Sequence, residues 1–334
     1  MPVLVTGGAS FIGSHLCESL VSAGARVRVA DDLSSGKVDN LATVREKIDF
    51  REGDLRDATF ARAAARGQEI IFHLAAMHGG RGYIETHPVE CMNNMLLDHT
   101  VFAEGARAGV RKIVHASSAC VYPTNLQTER DRLLLKESDA GFAEPGRAFA
   151  DGEYGWAKLM GEMQLRAFHK QYGIDAVACR IFTAYGEREN ESHAVIALIA
   201  KALARLDPFP IWGNGKQTRN FTYVGDTVKG MVLAGATLSG FSPVNVGSAT
   251  HHTVLDLCEE IFSTLRWRPR QLDFQLDKPV GVGSRASDNA FCKQALGWEP
   301  SVSLSEGIGR TARWYVEANR GGTPTDLQRR LMER

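Results

Sequence analysis

Met1-Pro2-Val3-Leu4-Val5-Thr6-Gly7-Gly8-Ala9-Ser10-Phe11-Ile12-Gly13 opens the chain. An apolar run of strand-forming residues passes directly into a glycine-rich turn and then into the helix-like segment Ser14–Ala23. Glycines in such a turn let backbone approach a pyrophosphate, which then rests on the N-terminus and dipole of the following helix. Gly7, Ser10, Phe11, Ile12 and Gly13 are the candidate contacts. Ser10 stands where a middle glycine is usual, a placement that works if its backbone angles are ordinary. A second apolar run, Val27–Ala30, ends at Asp31, 31 − 13 = 18 residues after Gly13. A carboxylate there would accept hydrogen bonds from the adenosine ribose hydroxyls. Asp31 and Asp32, with no arginine adjacent in sequence, would repel a 2′-phosphate, so NAD is the expected cofactor. Asp54 and Leu55, after the third run, fall at the adenine edge.

Outward from this unit the pattern repeats. Ile48–Phe50, Ile70–Leu74 and Ile113–His115 are short apolar runs, and Ala58–Ala65 and Asn94–Ala108 are helix-like segments between them. Strands alternating with helices predict a parallel, doubly wound α/β sheet of the Rossmann kind. A polar stretch, Thr124–Gly152, reads as a long loop that covers the site. A helix over Tyr154–Tyr172 and an apolar run over Ala176–Phe182 follow it. Beyond Thr183 the rhythm loosens, with one further strand at Val244–Gly247 and a helix at Val254–Leu265.

The 334 residues carry 39 Lys plus Arg against 39 Asp plus Glu, and no basic stripe, which argues against nucleic acid as a partner. No run approaches the ~20 apolar residues of a membrane span, and the N-terminus lacks a signal-peptide layout. Six scattered cysteines without zinc-like spacing fit reduced thiols and a cytoplasmic location. His251-His252 has no third ligand at useful spacing, so no metal is expected.

Tyr154-Gly155-Trp156-Ala157-Lys158 places a tyrosine and a lysine four apart, on one face of a helix. A phenol with pKa near ~10 is a poor base at neutral pH, and a neighbouring ammonium is expected to lower it. Ser118, at the end of an earlier strand, is placed to bind the same substrate oxygen. The glycine loop, Asp31, Ser118, Tyr154 and Lys158 resemble the extended short-chain dehydrogenase/reductase family, which epimerises, dehydrates or reduces nucleotide sugars. The resemblance runs from Met1 to about Gly309. It implies NAD as hydride carrier, contacted by Lys158 among others, and Tyr154 as acid/base with Lys158 and Ser118 in support. It also implies a dinucleotide domain over 1–182, to which the chain returns at about 221–266, and a mainly nucleotide-sugar-binding lobe over 183–334. Relatives usually pair into homodimers through two helices of each subunit.

Ser117-Ser118-Ala119-Cys120-Val121-Tyr122-Pro123 puts a thiol two residues after Ser118, and Ser192-His193-Ala194-Val195-Ile196 puts a histidine ahead of an apolar helix. Singly, each reads as a buried or capping residue. Together they resemble GDP-mannose 3,5-epimerases and GDP-L-fucose synthases, whose cysteine and second acid/base exchange protons at carbons 3 and 5. His193 agrees with the synthases, because the mannose epimerases have a lysine there. A ketone at carbon 4 acidifies both flanking carbons, and a thiol (pKa ~8.5) and an imidazole (pKa ~6.5) bracket neutral pH. By the same resemblance Gly79 and Gly80 line the sugar, and Lys201, Gln217, Arg219 and Arg285 hold the nucleotide diphosphate. Thr183 stands where relatives usually carry an asparagine.

The expected activity is therefore a nucleotide-sugar epimerase of the GDP-mannose 3,5-epimerase kind acting on a GDP-hexose. The alternatives are a 4-keto-6-deoxy-sugar epimerase/reductase consuming NADPH, a 4-epimerase of another nucleotide sugar, and a non-catalytic NAD sensor. Intact Ser118, Tyr154 and Lys158 speak against the last.

Overall fold

The computed structural model describes residues 1–142 and 146–319. The end of the expected C-terminal lobe, 320–334, and residues 143–145 of the polar stretch lie outside them. The first half of the chain runs β1 (Pro2–Thr6), α1 (Phe11–Ser22), β2 (Arg26–Asp31), β3 (Ile48–Glu52), α2 (Ala58–Ala65) and β4 (Ile70–His73). It continues through α3 (Arg81–Thr86), α4 (Pro88–Met92), α5 (Asn94–Arg107), β5 (Lys112–Ser118), β6 (Leu134–Leu135), α6 (Gly152–Tyr172) and β7 (Asp175–Ile181). The second half contains β8 (Ala184–Tyr185), α7 (Ala194–Leu203), β9 (Phe209–Trp212), β10 (Thr218–Arg219), β11 (Thr222–Tyr223), α8 (Val224–Thr237) and β12 (Phe241–Val246). It ends with β13 (His252–Thr253), α9 (Val254–Leu265), β14 (Leu272–Gln275), β15 (Ser284–Ser287), α10 (Ala290–Leu296) and α11 (Leu304–Ala318).

Seven strands form one parallel sheet in the order β12-β7-β5-β4-β1-β2-β3. Alternation along β1 explains its two-sided burial. Val3 and Val5 join the core beneath α1 and α8, with Leu16, Leu20 and Met231, while Leu4 faces Ala61, Leu97 and Phe102 of α2 and α5. The strand order reverses at β1, whose neighbours are β2 on one side and β4 on the other, so a crevice opens beyond the strand ends there. The glycine turn lies at its mouth.

Two helices begin where local chemistry says they should. Asp57 caps α2 by accepting from the Thr59 and Phe60 amides, and Thr253 with Asp256 forms a reciprocal capping box on α9.

The stretch read as a covering loop is instead packed against the body. Leu135 is buried on β6, which pairs with β15, and Arg180 donates to the carbonyls of Glu137 and Ala140. Leu133 and Leu134 are exposed. Past β7, the chain builds small sheets (β13-β10-β15-β6, β11-β8 and β14-β9) against α7, α9 and α11. No helix among the described residues is long and apolar enough to cross a membrane.

Candidate active site

Gly7 has φ +67°, the left-handed region that suits glycine. A Cβ on Gly13 would drive into the Gly7 carbonyl oxygen and come within 2.8 Å of Gly8 Cα. Ser10 has φ −83°, ψ −177° at the N-cap of α1, so the serine costs no strain, and its hydroxyl donates to the Gly7 carbonyl. Phe11 and Ile12 form the first turn of α1 beside it.

Asp31 is buried and accepts from the Ala9 amide at 2.9 Å and the Leu33 amide at 2.9 Å. Burial raises its pKa against those two donors. Gly7, Ser10, Asp31, Asp54, Leu55, Leu74, Ala75 and His78 line one open cleft. A glycine cradle at a helix N-terminus, with a carboxylate at the end of β2 and an open cavity between, fits a dinucleotide.

One feature of this end departs from the sequence reading. Arg56, distant from the Asp31-Asp32 pair in sequence, chelates Asp54 through Nη2 at 2.7 Å and Nε at 3.0 Å and faces Asp32 as well. The acids at the ribose end therefore do have an arginine beside them, contributed by the loop after β3.

Tyr154 and Lys158 are one turn apart on α6. Lys158 is buried and donates to the Ala116 carbonyl at 2.9 Å, and its ammonium lies 5.9 Å above the Tyr154 ring. Tyr154 bonds Ser118, and its pKa is raised rather than lowered. Burial is the largest cause, Cys120 and Cys91 add to it, and the Ser118 bond only opposes it. Burial therefore overrides the lowering expected from the lysine.

Cys120 lies in a helical turn directly after β5, and Gly155 of α6 packs so closely on its carbonyl that a Cβ there would collide with it. Its Sγ accepts from Arg285 Nη1 at 3.2 Å. Arg285 also donates through Nε to Gln127 at 2.6 Å and through Nη2 to Asp151 at 2.9 Å. Arg81 Nη1 donates to the other Asp151 oxygen at 2.9 Å. Burial would raise the Asp151 pKa, but Arg285 and Arg81 outweigh it and hold the carboxyl below its ordinary value. Arg219 belongs to this group too. It donates to the carbonyls of Thr218, Val280 and Val282, and burial and the facing Arg285 push its pKa down to about 10. Gln217 donates to the Trp212 carbonyl, while its side-chain oxygen is buried without a partner.

His193 is the residue at the N-terminal cap position of α7, its side chain making no cap bond. Its Nδ1 meets Glu189 Oε1 at 2.9 Å, and Gly79 supplies a backbone acceptor. Burial works against a charged imidazole, but Glu189 and Gly79 outweigh it and raise the pKa. Gly80 packs against the Ser192 carbonyl, leaving no space for a Cβ. The His78 ring stands 6.1 Å from that of His193 and faces Lys158.

The structure thus gathers Ser118, Cys120, Tyr154, Lys158, Arg219 and Arg285 around one centre, with Gly79, Gly80 and His193 joined through His78. Lys201 is not drawn into the arginine group. Its ammonium donates to the Pro210 carbonyl at 3.2 Å and faces Cys258 of α9. Thr183 accepts through its carbonyl from the Thr222 amide. Sequence reasoning missed Arg81, Asp151 and Glu189. Only Glu189, four residues before His193, left a local signal.

A model of the NAD dependent epimerase/dehydratase family matches residues 3–247. The chain belongs to that family. It is an NAD-dependent enzyme of the extended short-chain dehydrogenase/reductase type. It is similar to GDP-mannose 3,5-epimerase 1 of Oryza sativa subsp. japonica, 34% identical over 322 residues that cover 94% of this chain and 82% of the relative. It is nearly as similar to UDP-glucose 4-epimerase of Mycolicibacterium smegmatis, 32% identical over 94% of this chain and 98% of the relative. Among solved structures, the UDP-glucose 4-epimerase of Thermotoga maritima with UDP-glucose superposes with TM-score 0.84 at 27% identity, covering 95% and 99% of the two chains. A dTDP-glucose 4,6-dehydratase from Streptomyces venezuelae, solved with NAD bound, gives 0.86 at 26% identity, covering 96% and 98%. These relatives thus divide among a 3,5-epimerase, 4-epimerases and a 4,6-dehydratase.

Proposed function

We propose that this enzyme is a nucleotide-sugar epimerase of the GDP-mannose 3,5-epimerase kind. The observation that carries the reading is the pair Cys120 and His193, two proton carriers on separate segments, after β5 and before α7, each fixed by a charged partner, Arg285 and Glu189. A 4-epimerase requires neither. When bound, NAD supplies reversible hydride chemistry at carbon 4. Tyr154 takes the proton of the 4-hydroxyl, steadied by Ser118 and Lys158. Cys120 removes a proton from a flanking carbon, and His193, which holds its proton above the ordinary imidazole range, returns one on the opposite face.

The substrate class rests on charge. Arg81, Arg219 and Arg285 oppose the carboxylates of Asp151 and Glu85, the latter paired with Arg81, leaving one cation in excess that a diphosphate would neutralise. In this reading Gln217, Arg219 and Arg285 hold the diphosphate, and Gly79, Gly80 and Thr183 border the sugar. Residues 1–182 serve as the dinucleotide domain and the remainder mainly as the nucleotide-sugar lobe. Cytoplasmic residence fits the six free thiols. Val89, Met92 and Leu96 of α4 and α5 and Trp156 and Met163 of α6 are exposed on helices that pack together, and in this reading they form an apolar face for a second copy of the chain.

Proton NMR of GDP-mannose with the protein in heavy water, without NADPH, tests the reading. Deuterium at carbons 3 and 5 with new GDP-hexose signals is expected. A change confined to carbon 4, or none, would reject it.

A further inference from the structure

Beneath α6 lies a buried polar cluster that the chemistry above does not use. His73 at the end of β4, Asp98 on α5 and His115 on β5 are all fully buried. His73 Nε2 meets Asp98 Oδ1 at 2.9 Å, and its Nδ1 meets the Thr6 hydroxyl at 2.7 Å. His115 Nε2 stands 3.7 Å from Asp98 Oδ2, and the two imidazoles stack with centroids 5.5 Å apart. Asp98 Oδ2 and both His115 nitrogens have no hydrogen-bond partner. An unpartnered carboxylate oxygen at zero exposure is costly unless a cation answers it.

The nearest cation is Lys158. Gly161 follows Lys158 by three residues on α6, hence on the same face. A Cβ on Gly161 would collide with Asp98 Oδ2 and come within 3.1 Å of His115 Nε2. The missing side chain lets the carboxylate press up against the helix one turn from Lys158, whose ammonium bonds the carbonyl of Ala116, the residue after His115. We propose that Asp98, held by His73 and flanked by His115, is the buried counter-charge that keeps Lys158 protonated beside Tyr154, a positioning residue for the catalytic tyrosine–lysine pair.

The electrostatics agree with the geometry. Burial raises the Asp98 carboxyl, but His115, His73 and Lys158 outweigh it, so the group stays ionised. Burial lowers Lys158, and Asp98 is the first group opposing that, followed by Cys120. The other titratable groups around the lysine are Tyr154 on its own helix, His115 on β5 and His78 after β4. The three side chains also place one ligand atom each within 4.8 Å of one another. With His73 already bonded to Asp98 and an ammonium beside it, however, the charge a metal ion would need is taken.

The test follows the Lys158 ammonium by NMR of protein labelled at lysine Cε, its signal assigned with Lys158→Met, and needs no knowledge of the substrate. In Asp98→Asn, or in the smaller Asp98→Ser should the amide not be accommodated beside Gly161, Lys158 is expected to lose its proton at least about tenfold more readily. Circular dichroism should match the parent. An unchanged Lys158 titration in a folded variant overturns the proposal. So does collapse of both variants, which would assign the cluster to stability, and so does a stoichiometric metal ion in the parent that is absent from the variant. Failure of GDP-mannose as substrate would leave this titration untouched.

Discussion

Replacing Glu189 by Gln tests the proton-holding role of His193 most directly. The Nδ1···Oε1 distance is 2.9 Å, Glu189 is buried and His193 is about one quarter exposed at its side chain. Both groups have raised pKa values, Glu189 mainly from burial and His193 because its partner outweighs burial, so the pair retains a shared proton to higher pH. A hydrogen bond to a charged group is worth about 1.5–3 kcal/mol, and a pKa unit corresponds to ~1.36 kcal/mol. Glu189→Gln should therefore lower the His193 midpoint by about one to two units. If protonated His193 donates in the reaction, activity is lost as pH rises through its midpoint, and that alkaline limb moves down by the same amount. The stability linkage has the same sign. A raised imidazole stabilises the fold fully below about 6.5 and loses the contribution as pH climbs through the native value. The variant should thus show a flatter dependence of denaturant midpoint on pH. Long-range proton–nitrogen NMR of the imidazole, assigned with His193→Gln, reads the midpoint. A midpoint that stays put or rises refutes the reasoning.

Other substitutions separate the remaining parts of the site. Cys120→Ala should cut deuterium exchange beside carbon 4 by about 10²-fold or more while leaving NAD affinity within twofold, and wild-type exchange would remove Cys120 from the chemistry. Gly13→Ala forces a methyl against Gly7 and Gly8, and NAD should no longer co-purify or bind in fluorescence titration. Retained affinity would place the dinucleotide elsewhere. Leu96→Glu puts a charge on the exposed apolar patch of α4 to α6, and sedimentation should show a monomer in place of a dimer. A parent that already sediments as a monomer contradicts the pairing.

What could be read from sequence was what short-range physics determines. The strand–turn–helix opening, Ala58–Ala65 and Val254–Leu265 each carry their own periodicity and caps, and the structure places helices at the same limits. The Tyr154–Lys158 pair and Ser118 were legible because helix spacing and strand ends are local properties. Asp151 escaped notice because its partners come from Arg81, 70 residues away, and Arg285, 134 residues away. Arg56 was invisible beside Asp32 for a similar reason, since adjacency across β2 and β3 is a matter of sheet order. The polar Thr124–Gly152 stretch misled because its composition suggests solvent, whereas Arg180, Asn245 and the β15 edge pin it from outside.

The arginine group carries the last argument. Arg285 uses each of its three guanidinium nitrogens once, on Gln127, Cys120 and Asp151, and Arg219 faces it with a pKa pushed down to about 10. Bringing two such cations together is unfavourable without an anion, and Asp151 with Glu85 supplies two charges where Arg81, Arg219 and Arg285 bring three. A nucleoside diphosphate, with no sugar attached, should therefore bind and stabilise the protein. At one hundred times its dissociation constant the gain is ~2.7 kcal/mol. The gain should shrink with added salt, because screening weakens the less buried contacts first. Thermal unfolding with GDP, UDP and the corresponding nucleosides separates the phosphate contribution from that of the base. Equal stabilisation by GDP and guanosine would mean that the arginines do not read phosphate. Stabilisation by UDP but not GDP would retain the diphosphate site while overturning the GDP-hexose assignment.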